Sequence, residues 1–194
     1  MNYLAHLAFS YPDPDLMLGN FIADGLKKQE EQHWSARVNW GVKMHRDIDF
    51  FTDQHESIRW MKDQFYSAVG KYHSVAVDIV LDYYLMQQWT QLFDFTFIQL
   101  QETIEFVLEE HKNNMNPRHS RLAASLIRYK WLNHFKTWEG LSEVLGRMNQ
   151  RAKFVVNFND VIPLLKSNHS EFYKRSFTFF NEIQAHTLIN DYRK

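Results

Sequence analysis

The chain has 194 residues, with hydrophobic residues at 45%, aromatics at 16% and a formal net charge of -1. That composition can close one aromatic-rich core and excludes an intrinsically disordered chain. It contains no cysteine, which excludes disulfides and thiolate-held zinc and makes a cytoplasmic location the expectation. The N-terminus lacks the basic region and cleavage site of a signal peptide. No apolar run reaches the roughly 18 residues of a membrane span, so no membrane partner is expected. No nucleic-acid motif accompanies the near-neutral charge, so nucleic acid is not expected as a partner either.

Proline and glycine number only 4 and 6, and the apolar spacing between them follows a period near 3.6 rather than strand alternation. The reading is an all-α protein forming a single compact domain over 1–194. Helices are predicted over 2–10, 14–27, 34–54, 55–70, 74–92, 96–113, 118–134, 137–150, 160–168 and 170–190. Asp15, Thr137 and Ser170 are the expected N-caps.

Several of these helices carry polar groups in apolar surroundings. The first holds His6 within "YLAHLAF", and the second sets Asn20 and Asp24 one turn apart in "LGNFIADGL". The third carries "KMHRDIDFFTDQHESIR", with His45, Asp49 and Asp53 in series at four-residue spacing. Side chains at i and i+4 have Cβ atoms about 5–6 Å apart, so His45 and Asp49 can chelate one divalent ion. A nitrogen and an oxygen donor suit Mn²⁺, Fe²⁺, Zn²⁺ or Mg²⁺. The alternative is a solvated face on which Arg46 pairs with Asp49.

Helix 74–92 is apolar on nearly every face, yet it contains Asp78 and Asp82 one turn apart. No Lys or Arg occurs from Tyr72 to His111. An unpaired buried carboxylate costs on the order of several kcal/mol, so a distant arginine, a helix N-terminus or a bound cation must offset it. Further along, Lys112 to Lys153 contains nine basic residues against Glu139 and Glu143, a local excess of +7. Such a region can steer an acidic partner or bind phosphate, or it can be a solvated face balanced by acids elsewhere.

The segments "MNYLAHL", "GNFIADGLKK", "KMHRDIDFFTDQHESIR" and "VDIVLDYYLMQQW", with a weaker echo in "YKWLNHFKTWEGLSEVLGRMNQR", resemble the acyl carrier protein phosphodiesterase family. That family is a divergent branch of the HD-domain metal-dependent phosphohydrolases. One departure is local: the family usually carries Asp-His where this chain has Asp82-Tyr83.

The resemblance implies an all-α, HD-domain-like fold. It also implies a phosphoric diester hydrolase that removes the serine-linked 4′-phosphopantetheine arm from holo acyl carrier protein, as part of fatty acid metabolism. A divalent metal, Mn²⁺ first, would act as Lewis acid and activate water. His45, Asp49, Asp24 and Asp82 are the candidate ligands, with His6 and Asp78 next. Arg46 is expected either to clamp the phosphate or to orient Asp49, and Arg46, Asp49 and Asp82 form the expected catalytic set. Acyl carrier proteins are acidic, so Arg118, Arg121, Arg128, Arg147 and Arg151 are the expected docking residues. Two alternatives stand beside this reading. One is an HD-like phosphohydrolase of a nucleotide or other small phosphodiester, and the other is an inactive protein that still binds acyl carrier protein.

Overall fold

In the computed structural model, residues 1–190 and 192 are described, and among them every regular element is a helix. The order is α1 (Tyr3–Ser10), α2 (Pro14–Ile22), α3 (Lys28–Glu31), α4 (Ala36–Gln54), α5 (Glu56–Val69), α6 (His73–Gln87), α7 (Trp89–Leu92), α8 (Phe97–His111), α9 (Pro117–Tyr129), α10 (Trp138–Asn149), α11 (Val161–Ser167) and α12 (His169–Ile189). The all-α expectation therefore holds. The end of the expected domain, at 191, 193 and 194, lies outside the described residues. No helix among them is long and apolar enough to cross a membrane.

Local chemistry explains where the helices begin and end. Pro14 opens α2, and the Asp13 carboxylate accepts the Leu16 N–H at 2.9 Å, so the cap is Asp13 and not Asp15. Thr137 caps α10 as expected, accepting from the Gly140 N–H at 3.1 Å. Ser170 is not a cap, because α12 already starts at His169. The predicted helix over 14–27 stops at Ile22, shortly before Gly25 turns to φ 84°. The predicted helix over 118–134 ends at Tyr129, because Lys130 adopts φ 45° and the chain continues as a 3-10 turn over Trp131–Lys136.

Two helices form the centre. In α1 every residue from Leu4 to Ser10 is buried, and in α6 the run Ile79 to Leu85 is buried throughout. Helices α1, α5, α10 and α12 pack around α6. Leu4, Leu7 and Phe9 are essentially inaccessible, and each contributes about 1.5–3 kcal/mol of hydrophobic burial before entropy is counted.

Helices α2 and α4 cross closely at a glycine pair. A Cβ on Gly19 would lie 1.9 Å from the Val38 carbonyl oxygen, and one on Gly41 would lie 2.4 Å from that of Leu16. Only glycine lets the two backbones meet there. The contact presses Asn20, next to Gly19, against His45, one turn beyond Gly41.

Candidate metal centre

His6 from α1 and His45 from α4 lie face to face, with ring centroids 3.9 Å apart and planes inclined by 15°. Asn20 of α2 holds both. The His45 Nδ1 is 2.9 Å from the Asn20 backbone oxygen, and the His6 Nδ1 is 2.9 Å from the Asn20 Oδ1. A carbonyl oxygen only accepts, so each Nδ1 carries a hydrogen, which in a singly protonated ring leaves a lone pair at Nε2. Both Nε2 atoms face Asp49, one turn beyond His45: His6 at 3.1 Å from Oδ1 and His45 at 3.1 Å from Oδ2.

The Met1 ammonium already meets the Asp49 Oδ1 at 3.1 Å, and the two imidazole nitrogens beside it suit a further, divalent cation. Burial, helped by the neighbouring His45, pushes the His6 pKa down to about 3, against the pull of Asp49. Burial pushes Asp49 up, but His45, His6 and the Met1 amino group outweigh it and hold the carboxyl well below the usual range. With their hydrogens on Nδ1, the imidazoles have none to give Asp49, and the Met1 ammonium, 3.1 Å from Oδ1, is the donor left to it. Ligand atoms of His6, His45 and Asp49 all lie within 4.8 Å of one another. A second proton on His6 is opposed by its burial, whereas a divalent ion satisfies all three groups. Two nitrogens and a carboxylate fit Mn²⁺, Fe²⁺ or Zn²⁺ by donor chemistry, and Asn20 supplies the outer hydrogen bonds that fix ring orientation.

A cavity of about 330 Å³ opens over the cluster, lined also by Met1, Asn2, Tyr3, Asp24, Asp53, Lys62, Ser74 and Asp78. Asp78 is 3.5 Å from the Met1 amino group. Asp24 pairs with Arg118 at 2.9 Å, and Asp53 pairs with Lys62 at 2.9 Å. Burial and nearby Asp24 push the Tyr3 phenol up to about 12, so it stays protonated.

The structure separates some of the residues that the sequence grouped. Asp82 is fully buried and does not line the cavity. Its Oδ1 accepts the Ala5 N–H at 3.3 Å, in the first turn of α1, while Oδ2 has no partner among the described residues. Burial pushes its pKa up to about 8, so near neutral pH it is mostly protonated. Protonation thus removes most of the charge that burial would penalise, and the helix N-terminus that the sequence had left open contributes one N–H, from Ala5. Arg46 does not orient Asp49. Its half-exposed guanidinium pairs with Glu31, and it is not part of the cavity wall. Tyr83, at the departure from the family pattern, packs on Trp138 with centroids 4.5 Å apart and planes tilted by 36°, away from the cavity.

Among the basic residues, Arg118 reaches Asp24 of the cavity wall, and Arg147 and Arg151 line an adjoining groove. Arg121 and Arg128 are exposed on α9. The charge excess of that region is partly neutralised in space, since Lys112 pairs with Glu109 and Lys130 with Glu105. Sequence reasoning missed Tyr3, although its position three residues before His6 puts both on one face of α1. It singled out Asn20 but coupled it to Asp24 rather than to the imidazoles.

The acyl carrier protein phosphodiesterase family matches residues 1–183. Proteins named acyl carrier protein phosphodiesterase from Escherichia coli O157:H7 and Escherichia coli K12 are each 26% identical over 189 residues, covering 95% of this chain and 96% of the relative. The protein of that name from Salmonella agona is 25% identical over 186 residues, with the same coverage. No solved structure matches. A match that begins with the helix of His6 and runs through the helices of Asn20, His45, Asp49 and Asp78 takes in the whole cluster, and on it the chain belongs to the acyl carrier protein phosphodiesterase family.

Proposed function

We propose that this protein hydrolyses the serine-linked 4′-phosphopantetheine group from holo acyl carrier protein, releasing apo protein and phosphopantetheine. Family membership supports the substrate. The observation that carries the metal requirement is the convergence of two Nε2 lone pairs and one ionised carboxylate at His6, His45 and Asp49. Those three are the proposed ligands, with Asp24 and Asp78 on the cavity wall as further oxygen donors. The ion, Mn²⁺ first among Mn²⁺, Fe²⁺, Zn²⁺ and Mg²⁺, supplies Lewis acidity to the phosphate and lowers the pKa of water.

The chain's own residues do the rest. Asn20 holds both imidazoles in the Nδ1–H tautomer, so the ligand nitrogens stay available. Tyr3, protonated at working pH, donates a hydrogen bond to a phosphate oxygen. Arg118, paired with Asp24 of the cavity wall, offers a guanidinium matched to phosphate. Asp82 serves the fold by capping α1 rather than the chemistry. Arg118, Arg121, Arg128, Arg147 and Arg151 steer the acidic carrier protein to the cavity. In this reading the enzyme is a divergent HD-type hydrolase acting in the cytoplasm on the carrier of fatty acid synthesis.

The test is the mass of holo acyl carrier protein after incubation with the protein and Mn²⁺. The arm's mass should be lost, and a chelator should prevent the loss. An unchanged mass with metal demonstrably bound would refute the reading.

A further inference from the structure

A second cavity of about 320 Å³ lies beside the metal cavity and shares Met1, Asn2, Tyr3 and Asp78 with it. Its far wall is apolar, built by Leu122, Trp131, Val144 and Met148. Ser125, Arg147 and Arg151 add a few polar groups. Tyr3 meets Trp131 edge-on at 6.1 Å, so one side chain belongs to both spaces. An apolar cleft of this size with sparse polar groups is the usual form of a small-molecule site, at the lower end of roughly 300–1,000 Å³.

A phosphodiester held at the metal centre has two ester substituents that must extend in different directions, and only the serine ester is broken. One is the serine of a folded protein, which is too large for this groove. The other is a flexible chain with a geminal dimethyl group, a hydroxyl and two amides. Its apolar part matches Trp131 and Met148, and its amide carbonyls need donors. Arg151 makes no ion pair among the described residues, and Arg147 uses one nitrogen, Nη2, to approach the His134 Nε2 at 3.3 Å and Glu143 at 3.6 Å. Both guanidiniums are exposed and have N–H groups to give.

We propose that this groove is the seat of the substrate's arm, with Arg151 and Arg147 donating to its amide carbonyls and Trp131 packing against its dimethyl segment. The inference rests on the function proposed above, and it assigns specificity to residues outside the metal cluster. The groove would discriminate this arm from a bare phosphodiester by contacts remote from the reacting bond.

Val144→Trp should fill the groove. It is expected to lower kcat/KM for holo acyl carrier protein by about tenfold or more while Mn²⁺ affinity, read by calorimetry, stays within about twofold. Arg151→Ala should lower kcat/KM by about fivefold, the order expected for losing one charged hydrogen bond. If Val144→Trp does not fold, Ser125→Tyr takes its place. Undiminished kcat/KM in a folded, metal-binding variant overturns the groove and leaves the proposed function standing. If the wild type does not cleave holo acyl carrier protein, the proposed function fails. The groove is then judged by titrating phosphopantetheine against the Trp131 indole N–H resonance. A shift that Val144→Trp abolishes supports the seat, and no shift overturns it.

Discussion

Replacing Asn20 with Leu isolates the outer hydrogen bonds of the metal cluster. Asn20 is completely buried, and its Oδ1 is the acceptor for the His6 Nδ1 at 2.9 Å. Leucine is close in shape but accepts nothing, so the His6 Nδ1–H is left buried and unpaired. The backbone oxygen that holds His45 is untouched, so the damage is confined to one ligand. An unsatisfied buried donor costs about 1–3 kcal/mol. Loss of an outer partner of a ligating histidine typically weakens metal affinity by about 10–100-fold. The Asn20 Nδ2 has no partner among the described residues, so removing it recovers part of the stability loss and puts the net cost at the lower end, about 1–2 kcal/mol. Calorimetric titration of the metal-free variant with Mn²⁺ reads the affinity, and thermal melts with and without metal read the stability. Wild-type Mn²⁺ affinity in Asn20→Leu would refute the reasoning, because it would mean that the tautomer and orientation of His6 do not depend on Asn20.

Other substitutions probe the rest of the scaffold. Gly41→Ala sets a methyl 2.4 Å from the Leu16 oxygen and should cost about 1–3 kcal/mol of stability in denaturant titrations, with weaker Mn²⁺ binding as α2 moves from α4. Asp82 has its folded pKa raised from 3.8 to about 8. Its contribution is therefore fully present below the unfolded value and lost as pH rises through about 8. In chelator, the melting temperature should fall between about pH 5 and pH 8.5, and Asp82→Asn should flatten that fall. Arg46→Ala removes only an exposed pair with Glu31, so stability should change by less than about 1 kcal/mol, and kcat/KM for holo acyl carrier protein should stay near wild type. Reversing Arg121 and Arg128 to Glu should raise KM for the acidic substrate and flatten its salt dependence, with kcat little changed.

The amino-acid sequence determined what depends on near neighbours. Scarce breakers and a 3.6-residue period specify helices wherever they fall. A four-residue step puts His45 and Asp49 on one face in any α-helix, and Thr137 caps α10 through a contact three residues away. Tertiary structure decided which of several equivalent polar residues share a space. Asp78 and Asp82 stand one turn apart on the same helix and look alike in sequence. One lines the cavity, while the other is sealed under the first turn of α1. His6 joins His45 only because the glycine contact of α2 and α4 presents Asn20 to both rings. Arg46 turns to Glu31, a residue on α3 that no local spacing connects to it. Helical periodicity is a property of a few consecutive residues, whereas the direction each face points is set by how closely backbones from distant segments approach.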